Sequence, residues 1–99
     1  MGTALITGAS EGIGLEFAWQ LAEAQHNLVL VARRRQKLEE IAAKIHNLAG
    51  VKVEVLAADL STQAGVDAVA ERIRSTQLPP IGLLINNAGF GLGQSFIDG

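Results

Sequence analysis

The sequence of 99 residues contains no cysteine and no tyrosine, and it has a single tryptophan. Without cysteine the chain has no disulfide, no thiolate metal site and no cysteine nucleophile. It also lacks an excess of positive charge, since 8 lysines and arginines stand against 10 acidic residues and the formal charge is −2. A basic patch is the usual footprint of nucleic-acid binding. We therefore expect neither thiol chemistry nor a nucleic-acid partner.

Long apolar runs are missing as well. No stretch approaches the roughly 20 apolar residues that a membrane-spanning helix needs, and a strand-like run begins at Thr3, which leaves no room for a signal peptide. Hydrophobic residues make up 48% of the chain, enough for one core. We expect one cytoplasmic domain over residues 1–99, with no membrane partner. His26 and His46 have no partner at metal-ligand spacing, so no metal site is predicted.

Short apolar runs alternate with segments of helical periodicity along the chain. The runs predict strands at 3–7, 28–32, 51–56 and 81–86, and the periodic segments predict helices at 13–24, 38–48 and 66–73. This βαβαβαβ order is typical of an α/β fold, with a parallel sheet between two layers of helices. Right-handed crossovers favour the strand order 3-2-1-4. We predict a Rossmann-type, three-layer αβα unit, a partial doubly wound fold.

The pattern also predicts how these elements pack. The second and fourth strands are apolar throughout, as expected of strands covered on both faces. The third strand alternates, and its charges, which include Glu54, suit a sheet edge with one face in water. Each helix has an apolar stripe that should face the sheet, and the stripes are Ile13, Phe17 and Leu21; Leu38, Ile41, Ala42 and Ile45; and Val66, Val69, Ala70 and Ile73.

Other signals mark the ends of the helices. Trp19 falls off the first stripe, so it is either partly covered or exposed at a contact surface. Gln25 follows the first helix where glycine would be usual, at a small cost in stability. The segment ending in Gly50 closes the second helix. Ser61 is expected to cap the third helix, and Pro79 with Pro80 is expected to end it.

A glycine-rich loop joins the first strand to the first helix. Gly8 permits a tight turn, Gly12 lets the backbone approach a pyrophosphate, and Gly14 lets the helix sit close on the strand. The free N–H groups and the positive end of the helix dipole would then face the phosphates. The alternative is a plain glycine-rich turn, but a strand before it and a helix after it favour dinucleotide binding. No Gly-Lys-Ser/Thr follows, which argues against an ATP-hydrolysing P-loop.

The end of the second strand indicates which dinucleotide is bound. In an NAD-binding unit an acidic residue stands there and bonds the ribose 2′-hydroxyl, but this chain has Ala32, followed by three arginines. A guanidinium matches a 2′-phosphate bidentately, so NADP is the predicted cofactor, with Arg33 as its first ligand and Arg34 as its second. The alternative is that these cations merely solvate the start of the second helix, although cations there oppose the helix dipole. Ala32 also argues against an S-adenosylmethionine-binding Rossmann domain.

Three motifs together resemble the short-chain dehydrogenase/reductase family. Thr7-Gly8-Ala9-Ser10-Glu11-Gly12-Ile13-Gly14 is similar to the family fingerprint Thr-Gly-x-x-x-Gly-x-Gly, Asp59-Leu60 to its adenine-pocket pair, and Asn86-Asn87-Ala88-Gly89 to its Asn-Asn-Ala-Gly motif. The resemblance implies a place for Ser10 beside the 2′-phosphate and departs at Glu11, where a basic residue often assists NADP. The cofactor-binding residues it implies, with those above, are Gly8, Ser10, Glu11, Gly12, Ile13, Gly14, Arg33, Arg34, Asp59, Leu60, Asn87, Ala88 and Gly89.

The resemblance also implies what the chain does not contain. The family interconverts a carbonyl and an alcohol with a tyrosine, a lysine four residues later, a serine and an asparagine, all beyond the Asn-Asn-Ala-Gly motif. This chain has no tyrosine, so no catalytic residue is assigned, and we expect the cofactor half of an oxidoreductase, inactive alone. The alternative is a stand-alone dinucleotide-binding or regulatory module. Without a fifth strand, the apolar fourth strand would be an open edge, and we expect self-association through it.

Overall fold

A computed structural model describes residues 2–10 and 12–86. Strands and helices alternate along the chain, in the order β1 (Thr3–Thr7), α1 (Gly12–Glu23), β2 (Asn27–Ala32), α2 (Arg35–Ala49), β3 (Val53–Ala57), α3 (Gln63–Arg74) and β4 (Ile81–Ile85). The strands are parallel and lie in the order β3-β2-β1-β4. The predicted α/β architecture and strand order are therefore confirmed, and the ends of the elements differ from the predicted ones by at most three residues.

The core has two layers, one on each face of the sheet. On one face α1 and α2 cover alternate residues of β1 and β2, among them Ile6 and Leu30. On the other face α3 covers Leu5, Val29 and Val31. Because β1 and β2 are apolar and covered on both sides, they form the most buried part of the described chain. This rigid centre fixes the positions of the loops that follow the strands.

The α1 stripe predicted from the sequence is wrong except at Leu21, which packs against the core. The buried residues of α1 are Gly14, Ala18 and Ala22, whereas Ile13 is 66% exposed and Phe17 is 38% exposed. Small side chains at this spacing form a flat helix face that can approach the sheet closely. Of the two placements considered for Trp19, the structure has the partly covered one, since it packs against the core shared by α1 and α2.

The predicted α2 stripe is confirmed, because Leu38, Ile41, Ala42 and Ile45 are the buried residues of that helix. Gly50 ends α2 in the left-handed conformation, with φ 76°, and its N–H donates to the carbonyl of His46. Gln25 has a φ of 70° just after α1. It therefore occupies a conformation that favours glycine, as predicted.

β3 lies at an edge of the sheet, as predicted, but four details predicted for α3 and β3 are wrong in whole or in part. Of the predicted α3 stripe, Val69 is buried and Val66 packs against the core, but Ile73 is 40% exposed. The other buried residues of the helix are Gly65 and Arg72. Thr62, and not Ser61, caps the helix, because its hydroxyl accepts the N–H of Gly65 at 3.0 Å.

The helix already ends at Arg74, before the two prolines. The carboxylate of Glu54 does not simply face water, since it pairs with the buried Arg72 guanidinium at 2.7 Å.

The remaining strand, β4, pairs with β1 and stands at the edge of the described sheet. Leu83 and Leu84 are 39% and 51% exposed, so β4 is not covered on both faces in residues 2–10 and 12–86, against the expectation from its composition. Over the same residues, no helix combines the length and the apolar character needed to cross a membrane.

Candidate functional site

The loops that follow β1, β2 and β3 meet at the carboxyl edge of the sheet, together with Asn86 at the end of β4. The amide of Ala9 donates to the carbonyl of Val31 at 3.1 Å, and the amide of Ala58 donates to the carbonyl of Ala32 at 2.9 Å. At the other side of β1, the Thr7 hydroxyl lies 3.2 Å from Oδ1 of Asn86. In an open parallel sheet ligands bind at this edge, at the point where the strand order reverses, which here lies between β1 and β4. The candidate residues therefore converge on one end of the sheet.

The glycine loop has the backbone that its sequence predicts. Gly8 and Gly12 have φ values of 61° and 62°, which L side chains rarely adopt. A Cβ built on Gly12 would meet nothing within 4 Å, so the backbone at the start of α1 faces open space. Gly14 is buried against the sheet. The first turn of α1 thus presents its free N–H groups to a volume that a phosphate group could enter.

The other predicted residues of this loop differ in their exposure to solvent. Ser10 is half-buried at the turn, and Ile13 is exposed on α1. Glu11 lies outside the described residues, so its predicted contact with a cofactor stays a prediction. Ile13 follows Gly12 at the open end of the loop and does not lie between α1 and the sheet, so it does not belong to the buried face of the helix.

The arginines lie at the end of β2, on the same edge. Arg33, Arg34 and Arg35 are all exposed. Arg35 lies 3.7 Å from the Glu39 carboxylate, one turn along α2, whereas Arg33 and Arg34 form no ion pair with any residue that the structure describes. Arg34 is also the residue before α2, and no side chain caps that helix. Two guanidinium groups and an uncapped helix N-terminus therefore meet at one place, which favours an anion.

Asp59 follows β3 and brings a carboxylate to the same edge. Its Oδ1 accepts the Ser61 amide at 3.0 Å and the Ser61 hydroxyl at 2.6 Å. These hydrogen bonds, with a smaller contribution from the Arg33 guanidinium, hold the pKa of Asp59 below its usual 3.8. Asp59 is therefore a fixed, ionised acceptor near neutral pH. The neighbouring Leu60 is buried in the core on the α3 face of the sheet.

The sequence reasoning missed two contributors to this edge. Ser61 was assigned a capping role, but it orients the Asp59 carboxylate. Thr7 is the first residue of the glycine fingerprint, and it contacts Asn86. Asn86 is the first residue of the Asn-Asn-Ala-Gly motif and the one residue of that motif that the structure describes. The sequence did contain a signal for this pair, because both residues belong to motifs that follow neighbouring strands of the predicted sheet. The other predicted residues of that motif, Asn87, Ala88 and Gly89, lie outside the described residues.

Neither histidine joins the site. The His46 ring nitrogen Nδ1 lies 2.9 Å from the carbonyl of Val51. This side chain therefore forms a local hydrogen bond near the end of α2. Within residues 2–10 and 12–86 no group of three potential metal ligands occurs. Among the described residues, the carboxyl edge therefore offers backbone amides, guanidinium groups, hydroxyl groups and the Asp59 carboxylate.

Comparison with known proteins identifies the family of the chain. The family described as short chain dehydrogenase matches residues 2–98. A very-long-chain 3-oxoacyl-CoA reductase from Debaryomyces hansenii is 42% identical over 86 residues, which cover 87% of this chain and 25% of that protein.

Solved structures are similar along the whole chain. A short-chain dehydrogenase from Sphingobium yanoikuyae in complex with NADPH is 44% identical, with a TM-score of 0.84, over 100% of this chain and 38% of that one. The bulky-bulky ketone specific alcohol dehydrogenase from Comamonas testosteroni is 40% identical, with a TM-score of 0.84, over 100% of this chain and 39% of that one. The chain thus spans between a quarter and two fifths of the length of these proteins. The match over nearly all of its residues shows that the chain belongs to the short-chain dehydrogenase family.

Proposed function

We propose that this chain binds NADP(H) at the carboxyl edge of its sheet and forms the cofactor half of an oxidoreductase. The observation that carries the proposal is the pair Arg33 and Arg34, exposed and without an ion pair to any described residue, directly after Ala32. A 2′-phosphate would give these guanidinium groups an anion at contact distance, and no acidic side chain at position 32 competes for the ribose. The NADPH bound by the Sphingobium yanoikuyae relative supports this choice.

The residues on this edge fit the parts of such a dinucleotide. The amides at the start of α1 would hold the pyrophosphate, because Gly12 leaves their approach open. The Asp59 carboxylate would accept a hydrogen bond from the adenine amino group, and Leu60 would lie against the ring. Ser10, half-buried in the turn, would add a hydroxyl donor beside the 2′-phosphate. Each assignment uses a group whose chemistry matches the part it would contact.

When bound, NADPH supplies a hydride to a carbonyl carbon, and NADP accepts one from an alcohol. This chain's own residues bind and orient: Arg33 selects the phosphate, and Thr7 holds Asn86 at the end of β4. The sequence contains no tyrosine, the general acid that the family resemblance implies for this reaction. We therefore propose that the 99 residues alone bind cofactor without turning over a carbonyl or alcohol substrate.

Titration calorimetry with NADP and NAD tests the proposal. We expect NADP to bind more tightly, because a charge-assisted hydrogen bond contributes about 1.5–3 kcal/mol, and the lower value, suited to an exposed site, is about tenfold in affinity. Arg33→Ala should abolish the preference. Arg35→Ala is the matched control, since it removes the same charge from an arginine already paired with Glu39. Equal affinities for the two dinucleotides in the unmodified chain would refute NADP selectivity.

A further inference from the structure

Gly65 lies in the first turn of α3 and is buried against the backbone of Asp59. A Cβ at this position would overlap the Asp59 carbonyl oxygen and stand 2.5 Å from its carbonyl carbon and 2.9 Å from its amide nitrogen. Real Cβ atoms essentially never come within 3.0 Å of such atoms, and backbone atoms cannot rotate away as a flexible side chain can. Any side chain at position 65 must therefore displace Asp59 or the start of α3.

The Asp59 carbonyl is held by the same helical turn. It accepts the Thr62 amide at 3.0 Å and the Thr62 hydroxyl at 2.7 Å. That hydroxyl in turn accepts the Gly65 amide at 3.0 Å. The main chain of Asp59 is thus fixed by α3, while its carboxylate is fixed by Ser61. We therefore expect a substitution that shifts the first turn of α3 to shift both the main-chain carbonyl and the side-chain carboxylate of Asp59.

A displacement of Asp59 would also reach the end of β2. Ala58, the preceding residue, is buried and donates its amide to the carbonyl of Ala32 at 2.9 Å. Arg33 follows Ala32 directly. The backbone contact at Gly65 therefore leads through Asp59 and Ala58 to the residue that we assign to the 2′-phosphate. Leu60, on the other side of Asp59, would be displaced as well.

From this geometry we infer that Gly65 is a positioning residue for the adenosine end of the cofactor site. Its missing side chain lets α3 pack against Asp59 so that the carboxylate, Leu60 and Arg33 take up one arrangement. The inference rests on the proposed function, because Asp59 and Arg33 serve the cofactor only if the chain binds one. Gly65 is buried against the backbone of Asp59 and has no side chain to offer a cofactor, so the role we assign to it acts through Asp59.

The substitution Gly65→Ala tests the inference, with 2′,5′-ADP as the probe of the adenosine end. In a helix alanine is more favourable than glycine, so without the contact to Asp59 this variant would be more stable and would bind normally. We expect the reverse, with about tenfold weaker binding of 2′,5′-ADP by calorimetry and a lower melting temperature. Ala64→Gly is the matched control: Ala64 is exposed in the same turn, so this change weakens the helix and should leave binding unchanged.

A carbon-13 titration of the Asp59 carboxyl supplies a readout that general destabilisation does not move. In Gly65→Ala the hydrogen bonds from Ser61 should lengthen, and the pKa of Asp59 should rise toward its usual 3.8. This measurement needs no ligand. If the unmodified chain binds no 2′,5′-ADP, the proposed function fails, whereas the effect on the Asp59 carboxyl still reports on the contact.

If Gly65→Ala does not fold, the variant Thr62→Val tests whether the contact between α3 and Asp59 controls binding. It removes the hydroxyl that links Gly65 to the Asp59 carbonyl and adds no overlap, and it should weaken 2′,5′-ADP binding severalfold. Wild-type affinity together with an unmoved Asp59 pKa in the folded variants would overturn the inference. So would an equal loss of affinity in Ala64→Gly, because binding would then follow helix stability and not the position of Asp59.

Discussion

The buried ion pair between α3 and β3 leads to an asymmetric prediction for stability. The Arg72 side chain is 4% exposed and the Glu54 side chain 36% exposed. Arg72 donates Nε and Nη2 to the two carboxylate oxygens of Glu54, at 2.7 and 3.1 Å, and Nη2 also to the carbonyl of Pro79 at 3.0 Å. Its Nη1 has no hydrogen-bond partner within the described part of the chain. The guanidinium therefore depends on Glu54 for charge compensation.

Removing either partner should have unequal effects. Glu54→Gln leaves a charged guanidinium buried without a counterion, a change that typically costs about 3–5 kcal/mol. We take the lower end, about 3 kcal/mol, because the glutamine carbonyl still accepts one hydrogen bond. Arg72→Met leaves a carboxylate that is one third exposed and that water can reach, while methionine fills most of the space. We expect this variant to lose only about 1 kcal/mol, as for other volume-conserving changes.

Urea unfolding followed by circular dichroism measures both values. A small domain has about 5–15 kcal/mol of stability, so a loss of 3 kcal/mol is readily resolved. The double variant Glu54→Gln with Arg72→Met should be about as stable as Arg72→Met alone, because no buried charge then remains. The reasoning would be refuted if Arg72→Met were the more damaging single change, or if Glu54→Gln stayed within about 0.5 kcal/mol of the wild type.

Three further predictions concern other parts of the molecule. Gln25→Gly should raise the free energy of unfolding by about 0.5 kcal/mol, because relief of the left-handed conformation exceeds the loss of an exposed hydrogen bond to Ala49; a lower melting temperature would contradict this. We propose that the chain self-associates through β4, so its mass in light scattering should rise with concentration and Leu84→Lys should hold it monomeric; a monomeric wild type at every concentration would count against it. Since the folded state lowers the pKa of Asp59, its stabilising contribution is present above the usual 3.8 and is lost as the pH falls through the folded value. Asp59→Asn should therefore flatten the acid limb of the stability profile below about pH 4, and an unchanged limb would argue against the hydrogen bonds from Ser61.

The sheet was predictable because its determinants are local. The run of leucine and valine in β2 has the composition of a strand covered on both faces, and β2 lies between β1 and β3. Right-handed crossovers, which nearly all parallel βαβ units have, then favour the observed strand order. The α2 stripe, from Leu38 to Ile45, succeeded for the same reason: large aliphatic side chains recur on one face with polar residues opposite.

The failures on α1 and α3 have a common physical origin. A hydrophobic pattern gives weight to large side chains, but α1 faces the sheet with Gly14, Ala18 and Ala22, where close approach matters more than apolar volume. On α3 the buried Arg72 is compensated by Glu54, 18 residues earlier in the chain. No periodicity within one helix reveals a partner on another element. Both faces are set by tertiary contacts that the local sequence does not record.

The residues proposed to contact the cofactor could be predicted from the sequence, but the residues that hold them in position could not. The loop glycines, Arg33 and Asp59 follow three different strands, and parallel topology alone brings them to one edge. The sequence did not reveal Ser61 as the donor to Asp59, nor Gly65 as the residue packed against its carbonyl. Those roles depend on the exact approach of α3 to the end of β3, which is settled by packing over the whole domain. The predicted contacts of individual residues with a cofactor stay predictions.

Chemical-shift mapping with 2′,5′-ADP tests most directly the claim that the carboxyl edge of the sheet holds the adenosine end of NADP(H). In a nitrogen-15 spectrum of the chain, we predict that the amides of Gly12, Arg33 and Leu60 shift on titration. The amides of Gly50 and Lys52, which follow α2 at the opposite edge, should not move. With 5′-ADP, which lacks the 2′-phosphate, the shift at Arg33 should largely disappear. Absence of any shift, or shifts centred on Gly50 and Lys52, would contradict the account.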